Sequence, residues 1–138
     1  MLKTILALVL MAHGLVHAAL AIAPNPADPD AKAGAFFTAV ERSWLLSRVG
    51  LGKTAVSTIG ILLVILSTAG FVLTGLGIFG VFGLGAIWRT VAVSSACTSL
   101  LLLILYWHPW LPVGVLINIA VLVALLVVKW PPPSLIGV

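Results

Sequence analysis

The sequence predicts an all-α fold: an integral membrane up-and-down four-helix bundle with a short interfacial helix between spans one and two. Three observations carry this. Of the 138 residues, 62% are hydrophobic and only 7% charged, and the mean hydropathy is +1.31. A soluble domain carries about 25% charged residues, so too few are present here to coat a water-facing surface. The charges are also gathered, because residues 25–53 hold all three acids (Asp28, Asp30, Glu41) and four of the seven bases. Four apolar stretches remain, at 2–23, 55–80, 87–107 and 111–128, each near the ~20 residues that a spanning helix needs. The chain 1–138 therefore reads as a single membrane domain.

The first stretch opens with Lys3 and is closed by Pro24. A positive start, an apolar run and Ala21-Ile22-Ala23 also fit a cleavable export signal. Pro24 would follow the cut, a position such cleavage disfavours, and His13 and His17 are foreign to a signal core, so a retained helix is expected. In residues 33–48, "AGAFFTAVERSWLLSR", Phe36, Phe37, Val40 and Trp44 recur at helical spacing while Glu41, Arg42 and Ser47 face elsewhere. That pattern suits an amphipathic helix lying in the membrane interface. The alternative is a pre-helix running straight into the second stretch at Gly50–Gly52.

The second and third stretches are joined by the glycine-rich "FGVFGLG", the third and fourth by "HPWLP". Connections this short make helices two, three and four antiparallel neighbours. All five tryptophans (Trp44, Trp88, Trp107, Trp110, Trp130) fall at or near predicted ends, where indole rings sit at the interface. Pro109, Pro112 and Pro131–Pro133 punctuate the same borders. Lys3, Arg89 and Lys129 share one face, and Lys32, Arg42, Arg48 and Lys53 the other, so counting bases does not decide the orientation. The longer, acid-containing loop tolerates export, which places the termini in the cytoplasm of a bacterial cytoplasmic membrane. The net charge of +4 is spread over helix ends and forms no basic stripe, so nucleic acid is not an expected partner. Cys97 is the only cysteine, which rules out a disulfide framework within the chain.

The informative residues are the few polar ones inside the apolar stretches. At about 1.5 Å of rise per residue, His17 lies roughly 9 Å and Asn118 roughly 10 Å below the first-loop side. On the same scale His13, Cys97 and Thr98 lie near 15 Å, and Ser67 and Thr68 at roughly 18–20 Å. Polar groups are costly in lipid and face a bundle interior, so His13, His17, Ser67, Thr98 and Asn118 are expected to point inward as one band. The band has a structural reading, helix-to-helix hydrogen bonds worth about 0.6–2 kcal/mol each. It also has a binding reading, as the polar anchor for a lipid, a quinone or a similar isoprenoid.

Metal or haem chemistry is a third reading. His13 and His17 stand at i and i+4, able to share one ion, with Cys97 the third ligand at similar depth. Two histidines on one turn cannot take opposite faces of a haem, so that would require His108, at the interfacial "WHPW" turn. No acid lies within a span, which argues against proton or ion transport. Ser94, Ser95 and Ser99 have no acid beside them, which argues against a hydrolase. No enzyme activity and no resident cofactor are expected. Ser57, Gly60, Ser67, Gly70, Thr74 and Gly77 form a small-residue face on helix two, and Thr90, Ser94, Cys97 and Thr98 one on helix three. The two faces are expected to meet.

Together "HGLVH", "GFVLTGLG", "WRTVAVSSACTSLLLLILYW" and "GVLINIAVLVALL" resemble a widespread group of uncharacterised small bacterial four-helix membrane proteins. The resemblance maps His13, Gly14 and His17 onto that group's HGxxH pair and Asn118 onto a polar position of helix four. It implies a shared architecture and no particular activity. A looser architectural likeness to DoxX-type proteins is an analogy of fold alone. The expectation is then a non-catalytic membrane protein, an accessory or structural subunit of a larger complex or homo-oligomer. Its expected partners are membrane lipids, other membrane subunits or copies of itself.

Overall fold

The structure is a computed structural model that describes residues 1–22, 43–107 and 111–137. Among these residues all regular structure is helical: α1 (Leu2–Ile22), α2 (Trp44–Arg48), α3 (Lys53–Phe79), a 3₁₀ segment (Val81–Ala86), α4 (Trp88–Leu105), α5 (Pro112–Leu122) and α6 (Pro133–Ile136). Helix α5 continues as a π-type turn over Val123–Val127. Helices α1, α3 and α4 are long and apolar enough to cross a membrane. The fourth apolar run also forms helix, but Pro112–Val127 belongs with the shorter ones. Its length is about 24 Å at 1.5 Å per residue, against a hydrocarbon core of about 30 Å. Among the described residues, three helices therefore reach membrane-crossing length and the fourth apolar helix is shorter.

Helix α2 is capped by Ser43, whose hydroxyl accepts from the Leu46 amide at 3.4 Å, one of the orphan donors of a first turn. Trp44 is fastened to α4, its Nε1 donating to the Ile104 carbonyl at 2.8 Å. The chain then turns through Gly50 at φ +79° and is extended at Gly52 before α3 begins. This break rules out the continuous pre-helix. The rest of the expected interfacial segment, residues 33–42, lies outside the described residues, as do Pro24, His108, Pro109 and Trp110.

The helices run antiparallel because short links and small residues leave little choice. Gly80 ends α3 in the left-handed region at φ +80°, a conformation that carries no steric penalty for glycine, and the chain reverses into α4. Along α1 and α3, Gly14 faces Phe71 and Gly75 faces Ala7. A Cβ on Gly14 would lie 2.7 Å from Phe71 Cβ, and one on Gly75 2.9 Å from the Ala7 carbonyl. Along α3 and α4, Gly70 is pressed on Ser95 and Gly77 on Trp88.

The glycine face of α3 therefore behaves as expected, but its partner on α4 is a different stripe. Trp88, Ala92, Ser95, Ala96 and Ser99 are buried there, whereas Thr90, Ser94 and Cys97 are exposed and Thr98 is half-buried. At about 100° per residue, moving one position along α4 swings a side chain from the interior towards the outside. The small size of the expected stripe on α4 did not report its direction.

Two apolar clusters fill the bundle ends. Val56, Val64, Leu102, Leu103 and Tyr106 pack near α2. Ala7, Ile78, Trp88, Ala92, Leu125 and Ile136 pack at the other end. Ile136 arrives there because the chain beyond α5 folds back as α6. Arg89 holds that return in place, Nη2 donating to the Lys129 carbonyl at 3.0 Å and to the Pro131 carbonyl, while its guanidinium lies 5.6 Å from the Trp88 ring centroid.

Candidate functional site

Between the two apolar clusters, three helices place polar side chains in contact. His13 and His17 come from one turn of α1, Ser99 from the buried stripe of α4 and Asn118 from the inward face of α5. All are buried. The His13 Nε2 lies 3.3 Å from Asn118 Oδ1, and the His17 Nε2 lies 2.7 Å from Ser99 Oγ. Asn118 Nδ2 donates to Ser99 Oγ at 2.7 Å and to the Gly114 carbonyl at 2.9 Å. His17 Nδ1 lies 2.9 Å from the His13 carbonyl.

These contacts fix the proton positions for uncharged imidazoles. A backbone carbonyl only accepts, so Gly114 sets the orientation of the Asn118 amide, and the His13 carbonyl requires a proton on His17 Nδ1. His17 Nε2 is then an acceptor, and the Ser99 hydroxyl donates to it while accepting from Asn118. Asn118 Oδ1, left as acceptor, receives the Nε2 proton of His13. Every polar atom in this chain has a partner except one: His13 Nδ1, an acceptor with none among the described residues. Phe71 of α3 completes the packing, its ring centroid 4.8 Å from His13 and 6.3 Å from His17.

The structure thus brings together three of the residues singled out in the sequence, His13, His17 and Asn118. Ser67 is fully buried, yet its Oγ, like Thr68 Oγ1, has no hydrogen-bond partner among the described residues. Thr98 does not point into the cluster, because its hydroxyl donates to the Ser94 carbonyl of its own helix at 2.9 Å. Cys97 is exposed, about 200° around α4 from Ser99, so it is turned away from the histidines. No group of three metal-ligating side chains is assembled among the described residues.

Ser99 and Phe71 were not assigned to the site from the sequence, and Gly14 entered only through the HGxxH resemblance. For Ser99 a signal was there: Trp88, Ala92, Ser95, Ser99 and Leu102 recur at three- and four-residue spacing, the mark of one helix face. Gly14 also had a signal, a glycine between two histidines, which lets α1 approach α3 closely enough to seat both rings on Phe71.

The site has a second feature. Helix α1 lies tightly on α3, but α1 and α5 barely approach each other, and the polar chain crosses the gap between them. Two cavities lie along this seam. One, of about 270 Å³, runs past Leu6, Leu10, Val121 and Trp130, and the other, of about 410 Å³, runs past Val16, Leu20, Leu111 and Val113. Val9, His13 and Ile117 border both, so the two form one groove with His13 at its middle. Val9, Val16, Val113 and Ile117 are exposed, which opens the groove onto the flank of the bundle.

Fold and site together define a class: an apolar helical protein with helices of membrane-crossing length, clasped internally by histidine, serine and asparagine. Comparison with protein-family models, with curated proteins and with solved structures finds no match.

Proposed function

We propose that the chain is a non-catalytic integral protein of a bacterial cytoplasmic membrane, four helices spanning it up and down, serving as an accessory or structural subunit of a larger membrane assembly or of a homo-oligomer. The observation that carries this is the closure of the polar chain. His17 uses both ring nitrogens, Ser99 gives and accepts, and Asn118 uses both amide protons and its oxygen. Groups bonded to one another in this way fasten helices, since acting on a substrate would require breaking the bonds that hold them. Helix-to-helix hydrogen bonds of this kind contribute about 0.6–2 kcal/mol each in a bilayer. The many exposed Leu, Ile and Val side chains of α1 and α3 suit contact with acyl chains or with a neighbouring apolar helix. The resemblance to small bacterial membrane proteins built around an HGxxH pair agrees with this reading.

A native mass spectrum of the chain, extracted from its own membrane in mild detergent, tests the assignment. Multiples of its own mass, or added mass from other polypeptides, are the expected result. A bare monomer in every mild detergent rules out a stable subunit role.

A further inference from the structure

We infer that the groove between α1 and α5 is a binding site for an uncharged, single-tailed molecule bearing a hydroxyl group, which donates to His13 Nδ1 from the middle of the bilayer. This rests on the reading that the helices span a membrane.

Three observations converge on the groove. First, the bond from His13 Nε2 to Asn118 Oδ1 makes Nδ1 an acceptor, and it is the one polar atom of the clasp without a partner among the described residues. An acceptor is complemented by a donor, so a hydroxyl fits, and a head group carrying only carbonyl or ether oxygens does not. Second, the walls are apolar along their length, from Leu6 and Val121 to Leu20 and Leu111, and the larger cavity, of about 410 Å³, is of the size that small ligands occupy, about 300–1,000 Å³. A tail therefore lies along the seam, entering through its open flank.

Third, the π-type turn at Val123–Val127 contributes Ala124 and Leu125 to the groove. Such turns replace regular α-helix at a cost and are frequent at functional sites.

Depth selects among hydroxyl compounds. In α1, His13 stands about 16 Å from one end and about 14 Å from the other at 1.5 Å per residue. A phosphate or sugar head group belongs at the interface and cannot descend there without losing its hydration. A neutral isoprenoid alcohol is apolar enough to do so.

The test uses the full chain purified from membranes in mild detergent, titrated with farnesol and with farnesyl methyl ether, which has the same tail and no donor. Saturable binding of farnesol, with the ether about tenfold weaker, is the expected result. His13→Phe should bring farnesol down to the level of the ether. Because His13 also bonds to Asn118, a second variant, Ala120→Phe, fills the groove from an exposed position and leaves the clasp intact. It should abolish binding of both compounds while keeping the wild-type helix content and melting temperature.

Equal affinity for alcohol and ether, no saturable binding by the folded wild type, or undiminished binding in Ala120→Phe each overturns the proposal and leaves the subunit reading standing. Recovery of the wild-type chain in the aqueous fraction of cells overturns the membrane reading and the proposal with it.

Discussion

The two flanks of α1 are both mainly apolar and pack in opposite ways. Towards α3 the helix presents Ala7, Met11 and Gly14, and the backbones come so close that a single added carbon would collide. Towards α5 it presents Val9, His13 and Val16, and the partner helix offers Val113 and Ile117, so the backbones stay apart and a groove remains. Hydrophobicity is nearly equal on the two sides. What differs is side-chain volume, which in a membrane decides whether helices close on each other. The open seam is also the one crossed by the polar chain. Hydrogen bonds there do the joining that van der Waals contact does on the closed side.

If that contrast is right, the largest effect comes from spoiling the closed seam. Gly14→Leu places a side chain where even the Cβ would be 2.7 Å from Phe71 Cβ and 3.0 Å from the Thr68 carbonyl. Neither atom is the end of a flexible side chain, so α1 must move away from α3. We expect a loss of about 3 kcal/mol, the upper end for overpacking, measured by unfolding in mixed micelles. The matching substitution on the open side, Ala120→Leu, enlarges an exposed residue bordering the groove and should stay within about 0.5 kcal/mol. Equal losses in the two variants would show that the seams do not differ.

The next effect sharpens the other half of the comparison. Asn118→Ala removes the residue whose amide bonds both the His13 ring and the Ser99 hydroxyl, and it leaves the Nε2 proton of His13 buried without an acceptor. A loss of about 2 kcal/mol is expected, above the ~0.6 kcal/mol average for one interhelical bond because several are removed together. A double-mutant cycle between His17→Ala and Ser99→Ala should give a coupling of about 1 kcal/mol. A coupling near zero would mean that this bond fastens nothing.

How much of this could be read from the sequence follows from what each signal measures. Hydropathy and length report apolar runs, and α1, α3 and α4 fall within a few residues of the expected 2–23, 55–80 and 87–107. The last run, 111–128, gave a helix too, but not its change to π geometry at Val123, which no composition of valine and leucine announces. The return of α6 under the bundle was equally hidden, because Pro131–Pro133 signal a stop and say nothing of where Ile136 then goes. For the site, His13, His17 and Asn118 were legible because polar residues are rare in such helices and have to be buried somewhere. Choosing Thr98 over Ser99 was an error of rotation. Depth alone ranks neighbouring residues as equals, while their directions differ by about 100°.

The smallest effect tests burial against bonding. Ser67 and Ser99 are both fully buried, and composition gives no reason to separate them. Ser99 Oγ has two partners, whereas Ser67 Oγ has none among the described residues. A buried hydroxyl without a partner is a liability, since it has given up water and gained nothing. Ser67→Ala should therefore be neutral or raise stability by up to about 1 kcal/mol, while Ser99→Ala lowers it by about 1–2 kcal/mol. The two variants, unfolded side by side in the same micelles, are predicted to move in opposite directions or at least to differ by about 1 kcal/mol. If both lose stability equally, Ser67 has a bonding partner, and the polar chain extends from α4 and α5 onto α3.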